Sequence, residues 1–559
     1  MRPDAILAYP DHSAVRIQAD DIARSAIRLT VFCAFAAMFV MAWTRNINWD
    51  EFYFLSHVHA NLDGRLDRPL QTVFVHGFRW LSWVSDHEID QIAVARIAMM
   101  VFFAGTCCAL HRIAATLADE ASADIATLAF VTSGFAIAHG ASFRADPMAA
   151  GLLMGAVALM MTTRMGLVQV LAVAILSALA LLVTVKSALY LPVFIGALLW
   201  RWDDRGVVLR CLIAGLLALV IAGLLFMWHA STINVAQGAD AGGNLSEAAR
   251  VTLGGSGFLP RWPEVSLWLM FSAGGLMLAG AGLYATENKR LRVVFILFAL
   301  PLLSVVIYRN AFPYFFPFAV PPLMVAVALG AQYLRGTLLF KLALVLMLAS
   351  GVIQSQRALS EGNATQRATI AEVHRIFPEP VSYIDQNGMI SSFERHGFFM
   401  STWGIATYRA GGKPVFADLI LRNQPPLLLA NRAELHAAMR PETSNHQFLG
   451  LLPEDAAILR KSYVHHAGVI WLAGQDIMLT DGVATTQMPF AGHFRIESAS
   501  PVSVAGRKVS SGDVLALDRD TIEIKGPDGA KVRLIWNIEA GLSQTQLPET
   551  GLYAGFWRL

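Results

Sequence analysis

Asn48-Trp49-Asp50-Glu51 stands just past the first long apolar run of the chain, residues 25–43. Two adjacent carboxylates at such an edge are costly to hold beside lipid unless they are put to use. How this tetrapeptide is read therefore depends on whether the neighbouring runs cross a bilayer. The 559 residues are 55% hydrophobic and only 15% charged, against roughly a quarter charged in an ordinary soluble domain. Mean hydropathy is +0.50. Lipid, more than water, solvates this chain. A net charge of +2 without a long basic run carries no nucleic-acid signature.

A crossing helix needs about 17–25 apolar residues. Candidate runs fall near 25–43, 91–112, 123–141, 147–164, 167–185, 187–200, 209–228, 264–285, 293–308, 315–334 and 337–354, eleven in all, the sixth short. The leader 1–24 is polar and carries Arg16 and Arg24. Its length favours an uncleaved first helix with a cytoplasmic N-terminus, although Ala34, Ala36 and Ala37 would suit a cleavage site. Counting loops from that side, His111, Arg112, Arg164, Arg201, Arg205, Arg210, Lys289, Arg290, Arg292, Arg335 and Lys341 gather on inner turns. This is the positive-inside pattern of an inner-membrane protein. An odd number of crossings then puts residues 355–559 outside. Arg65, Arg68, Arg79, Arg144, Lys186, Arg250, Arg261 and Arg309 break the bias, and each asks for a reason.

The chain divides into the leader 1–24, a membrane domain 25–354 and an extracytoplasmic tail. In the outer loop 44–90, Leu70, Val73, Phe74, Phe78, Leu81 and Trp83 recur at helical spacing beside Trp80, which predicts an amphipathic helix lying in the interface. The outer loop 229–263 is rich in Gly and Ala and suits a mobile cover over a site. Residues 355–485 read as an α/β region, with helices at 361–377 and 431–439 and strands at 380–384, 426–430 and 469–473. From 486 to 559 the pattern becomes Phe494-Arg495-Ile496-Glu497, Val514-Leu515-Ala516-Leu517, Thr521-Ile522-Glu523-Ile524 and residues 531–536 between turn signals, a β-sandwich-like module. The four cysteines, Cys33, Cys107, Cys108 and Cys211, all lie in apolar segments, so the tail is not stapled by disulfides.

Four constellations can carry chemistry. Asp50 and Glu51 can supply a general base or hold a cation; as a plain loop pair they would merely end a helix. Arg144-Ala145-Asp146-Pro147 opens the fourth run, where Asp146 can cap the helix and Arg144 suits a phosphate. Thr184-Val185-Lys186 puts a cation inside an otherwise apolar stretch, where the plainer reading is snorkelling to headgroups. Arg309 precedes Tyr314 and Pro317 on a further outer turn. All four fall on one side of the membrane in this topology. Acids and cations beside lipid suit an anionic lipid headgroup and a hydroxyl to be activated. Walker-type, HExxH and CxxC motifs are absent, and Gly254-Gly255-Ser256-Gly257 lacks the flanking strand and helix of a dinucleotide loop. Gly151 and Gly155 read as helix packing. His57, His59 and His76 read as surface more than as metal ligands.

In these motifs, across residues 25–350, the chain resembles the GT-C glycosyltransferases, in particular the protein O-mannosyltransferase and lipid A aminoarabinose transferase-like group. The resemblance implies a polytopic α-helical fold and transfer of a sugar from a polyprenyl-phosphate donor on the extracytoplasmic face. It implies Asp50 as base with Glu51 beside it, Asp146 orienting acceptor or sugar, and Arg144, Lys186 and Arg309, with Tyr314, at the donor phosphate. It requires no cofactor and leaves room for a divalent metal. The acceptor would be a glycolipid, a polysaccharide or a protein. Two other classes stand beside it. A flippase for a lipid-linked glycan predicts charges spread through the membrane depth, and a non-catalytic envelope assembly protein predicts a dispensable Asp50.

Overall fold

The computed structural model of the chain describes residues 12–233, 257–441, 450–538 and 546–554. The predicted cover at 229–263, the glycine cluster at 254–257 and Arg250 fall largely or wholly outside these residues.

Each of the eleven apolar runs is helical. The longer helices are α1 (His12–Thr44), α2 (Trp49–Leu62), α3 (Glu88–Ala115), α4 (Glu120–Val131), α5 (Ala145–Thr162), α6 (Leu167–Val183), α7 (Leu191–Trp200), α8 (Arg205–Ser231), α9 (Trp262–Ala285), α10 (Lys289–Leu303), α11 (Pro321–Leu334), α12 (Leu338–Ser360) and α13 (Ala364–Ile376). Among the described residues six are long and apolar enough to cross a bilayer: α1 from Arg24, α3, α5, α8, α9 and α12. A seventh counts if Pro313–Ala319 and α11, bent by 60°, form one span. By length and composition, then, six or seven of the eleven apolar runs qualify as full crossings among the described residues. An apolar run reports burial, and α4, with 12 residues, rises only about 18 Å against a core of about 30 Å.

Burial sorts the helices. Most of α5 is enclosed, whereas α8 and α12 leave most of their length to lipid. α5 packs on α3 and α6. A Cβ on Gly151 would meet the Phe102 carbonyl oxygen at 2.7 Å, so this glycine sets the close approach of α5 to α3. At one end of the bundle Asp124 accepts from Arg24 (2.7 Å) and Arg28 (3.0 Å) and pairs with His111, while Arg335 reaches Asp119 at 2.8 Å. The C-terminal domain sits at the opposite end.

α2 is a 14-residue helix inside what read as an outer loop. The amphipathic helix expected after it is shorter and broken, a four-residue turn Val75–Phe78 followed by a 3-10 turn Arg79–Trp83. Phe74, Phe78 and Leu81 face the protein, while Trp83 is exposed. Phe74 packs against Phe54 of α2 and Phe78 against Phe143. The apolar stripe thus serves a core more than an interface.

Among its described residues the C-terminal domain has twelve strands: β1 (Ser382–Ile384), β2 (Glu394–His396), β3 (Leu427–Leu429), β4 (Tyr463–Ala467), β5 (Ile470–Met478), β6 (Val483–Gln487), β7 (Gly492–Ser498), β8 (Val502–Val504), β9 (Arg507–Val509), β10 (Val514–Leu517), β11 (Thr521–Lys525) and β12 (Lys531–Trp536). An eight-stranded sheet runs β10-β7-β12-β5-β3-β1-β2, with β4 paired to β5. β1 is parallel to both β2 and β3; the other pairings are antiparallel. A second sheet, β6-β11-β8-β9, shares a core with the first through Val504, Ile522 and Ile524 against Phe494, Ile496 and Leu534. Strands from both sides of position 485/486 share the large sheet, where β12 pairs β5 from Lys531↔Met478 to Ile535↔Gly474. Turn signals mark strand ends and are silent on which strands pair across the chain.

Candidate active site

The site starts from a capping box. The Asn48 side chain accepts the Asp50 N–H at 3.0 Å, and the Glu51 carboxylate accepts the Asn48 N–H at 3.1 Å. Both orphan donors at the head of α2 are thereby satisfied. Successive helical residues point about 100° apart, so the two carboxylates part ways.

Glu51 turns into the bundle, its side chain 2% exposed. Arg96 of α3 donates from Nε to Oε1 at 2.8 Å and from Nη2 to Oε2 at 2.6 Å, and the Phe143 N–H donates to Oε1 at 2.8 Å. Arg96 also reaches the carbonyls of Arg45 and Asn46, each at 3.0 Å. Burial works to raise the Glu51 carboxyl, but Arg96 and the two N–H groups hold it below the ordinary carboxylate value. This bidentate pair ties α2, α3 and the turn before α5 together.

Asp50 turns the other way. Arg144 donates from Nη1 to Asp50 Oδ2, the Arg144 Nε lies 3.6 Å from Asp146 Oδ2, and Lys186 donates from Nζ to Asp146 Oδ1. The result is a row of alternating charge, Asp50, Arg144, Asp146, Lys186. Tyr314 lies against it, its ring centroid 3.4 Å from the Arg144 guanidinium carbon and 5.5 Å from Lys186 Nζ. The ends of the row are the accessible members: Asp50 is 17% and Lys186 14% exposed, against 7% for Arg144 and 2% for Asp146. The Arg144 Nε has no hydrogen-bond partner among the described residues.

Local sequence explains each position. α5 begins with Arg144 as N-cap. Asp146 therefore sits in the first turn and does not cap the helix, a correction to the sequence reading; its carboxylate is taken up by Lys186. Thr184 accepts the Lys186 N–H at 3.3 Å and caps the 3-10 turn Val185–Tyr190 that carries the lysine. Tyr314 lies on the Pro313–Ala319 arm of the bent pair. Arg309 stands on the preceding turn beside Arg261, whose Nε donates to the Arg309 carbonyl at 3.2 Å.

The row brings together Asp50, Arg144, Asp146, Lys186 and Tyr314, and Glu51 adjoins it as a fully bonded neighbour. Arg96, which holds Glu51, was missed. Its signal was an arginine inside the apolar run 91–112, just as the Asn48-x-x-Glu51 pattern signalled α2. The three histidines are dispersed: His59 bonds Gln91 at 2.8 Å, His76 bonds His229 at 2.8 Å and His57 packs on Tyr53. The donor set does not suit a divalent cation. Asp50 and Asp146 are each engaged by a cationic side chain, and no group of three His, Cys, Asp or Glu comes together among the described residues.

No protein-family model and no curated protein sequence matches the chain. Solved structures do. ArnT from Cupriavidus metallidurans bound to undecaprenyl phosphate aligns over 72% of this chain and 93% of its own, with 15% identity and a TM-score of 0.51. AglB, the oligosaccharyltransferase of Archaeoglobus fulgidus, in complex with an inhibitory peptide and a dolichol-phosphate, aligns over 94% and 97%, with 8% identity and a TM-score of 0.53. The fold is GT-C. The apo state of ArnT gives the same picture, with 13% identity, 73% and 93% coverage and a TM-score of 0.52. The GT-C fold and the long apolar helices make this an integral membrane protein.

Proposed function

We propose that this protein is an inverting glycosyltransferase that moves a sugar from a polyprenyl-phosphate donor to an acceptor hydroxyl. The reaction takes place at the extracytoplasmic face of the bacterial inner membrane, with the N-terminus cytoplasmic. The observation that carries the reading is the meeting of Asp50, Arg144, Asp146, Lys186 and Tyr314, drawn from four separate segments, at the end of the bundle that faces the C-terminal domain. The GT-C neighbours, solved in complex with undecaprenyl phosphate and with a dolichol-phosphate, support the donor class.

Asp50, the accessible carboxylate, takes the proton of the acceptor hydroxyl as its oxygen attacks the anomeric carbon. The anomeric carbon–oxygen bond breaks, and its electron pair leaves on the lipid phosphate. Arg144 and Lys186 stabilise the charge gathering there, and no general acid is needed for so weakly basic a leaving group. Asp146 keeps Lys186 in place and lies within reach of sugar or acceptor. Arg309, on the turn before Tyr314, is assigned to the donor phosphate with Arg144 and Lys186. Glu51 acts through Arg96 as a positioning residue. Without donor, Arg144 is bound to Asp50; a phosphate drawn to that guanidinium releases the carboxylate as base. Glycolipid, polysaccharide and protein hydroxyls all meet this requirement.

The test is donor turnover by purified Asp50→Asn and Arg144→Ala proteins in lipid. Each should lose at least about 100-fold, the usual effect of removing one transition-state partner. Turnover near wild type in both removes the assignment.

A further inference from the structure

The carboxyl ends of parallel strands are ordinarily where an α/β sheet opens a crevice for a ligand. In the C-terminal domain that edge is filled by α2. All three parallel strands, β2-β1-β3, send their following loops onto this helix. After β1, Asn387 Nδ2 donates to the Trp49 carbonyl at 2.6 Å and Ser391 Oγ to the Phe52 carbonyl at 3.1 Å. After β2, the Phe399 ring stacks on Tyr53 with centroids 4.2 Å apart. After β3, the Arg432 guanidinium lies 4.3 Å from the Trp49 ring centroid. Trp49, Phe52, Tyr53 and Ser56 form one face of α2 at spacings of three and four. Asp50, on another face, meets Arg144.

The loop after β1 is built for this contact. Asp385, fully buried, accepts the N–H groups of Asn387 (3.0 Å), Gly388 (2.7 Å) and Met389 (2.7 Å) and the side-chain amide of Asn431 (3.3 Å). Gly388 has φ +91°, and a Cβ there would lie 2.9 Å from Ser56 Cβ. Only glycine allows both the turn and the approach.

We infer that the strand-end loops of the C-terminal domain are the seat that fixes α2, and that Asn387 and Gly388 are positioning residues for Asp50. The inference rests on the transferase reading for its effect on rate. The seat itself is geometric. A displacement of about 1 Å at a reacting group can lower a rate about 100-fold, so loosening the seat acts on kcat while the phosphate-binding cations stay in place.

The experiment uses the full chain in lipid nanodiscs. Asn387→Ala and Gly388→Ala are compared with wild type by hydrogen–deuterium exchange, by binding of undecaprenyl phosphate and by turnover. Both variants should speed exchange of the α2 amides about tenfold or more, leave α3 and α5 within about twofold, and leave undecaprenyl phosphate affinity within about twofold, with kcat down about 10- to 100-fold. Adding Ser56→Gly to Gly388→Ala removes the clashing carbon but not the backbone strain at φ +91°, so it should restore part of the lost rate over Gly388→Ala alone, which a general loss of stability would not do. Unchanged α2 exchange in both variants, or exchange rising equally through the bundle, overturns the seat. A wild type inactive on every polyprenyl-phosphate sugar overturns the transferase reading instead, and the exchange comparison then decides the seat alone.

Discussion

Glu51→Gln is the sharpest perturbation of the site's foundation. The wild-type carboxylate accepts two Arg96 bonds, of 2.8 and 2.6 Å, and two backbone N–H groups. Glutamine keeps the shape but offers one neutral acceptor, leaving the Arg96 charge buried with only backbone carbonyls. Breaking a buried pair from one side costs about 3–5 kcal/mol. At about 2 °C per kcal/mol for a large chain, the melting temperature should fall by roughly 5–10 °C. Replacing both partners, Glu51→Leu with Arg96→Leu, removes the stranded charge but leaves the two N–H groups, and the Arg45 and Asn46 carbonyls, without these partners, at about 1–3 kcal/mol for each buried group left unpaired. The double variant should regain part of the loss. The pH dependence has a fixed sign. Arg96 and the two N–H groups hold the folded-state carboxyl below the ordinary carboxylate value, so its stabilisation is present above the unfolded value and fades as pH falls through the folded one. Glu51→Gln should lose that acid limb. The assay is thermal unfolding in detergent from pH 4 to 8, scored beside turnover. A Glu51→Gln melting point within about 1 °C of wild type, or a double variant no more stable than the single, refutes this account of the pair.

Three further outcomes are open to direct measurement. Arg144→Lys keeps the charge but loses the planar fork, so turnover should fall about 100-fold while the chain still folds, checked by activity and size-exclusion profile. His374 donates to Glu88 at 3.0 Å; burial pulls its pKa down, but the carboxylate carries it above the ordinary value. Its stabilisation is therefore complete below about pH 6.5 and disappears as pH rises through the higher folded value, and the melting-temperature gap between wild type and His374→Gln should close in step. Gly151→Val forces a side chain toward the Phe102 carbonyl and should cost about 1–3 kcal/mol in a thermal scan.

Much of the architecture was legible from hydropathy, because the solvent of each run decides its composition. All eleven apolar runs are helices, and Asp50, Arg144 and Lys186 meet at one end of the bundle. Less legible were features set by partners remote in the chain. Glu51 looked equivalent to Asp50 until Arg96, 45 positions on, claimed it. Asp146 looked like a cap until Lys186 took its carboxylate. Hydropathy alone does not separate the enclosed α5 from the exposed α8, since enclosure in protein and contact with lipid write the same letters. The pairing of β5 with β12, which joins positions more than fifty residues apart, carries no local sequence signal.

That pairing has a consequence for the gene. β12 lies between β5 and β7 in the large sheet, so a premature stop anywhere from 486 to 530 would remove the central neighbour of a nine-residue strand. The bared backbone would invite edge-to-edge association. Late nonsense alleles should behave as nulls, not as partial losses of an accessory module.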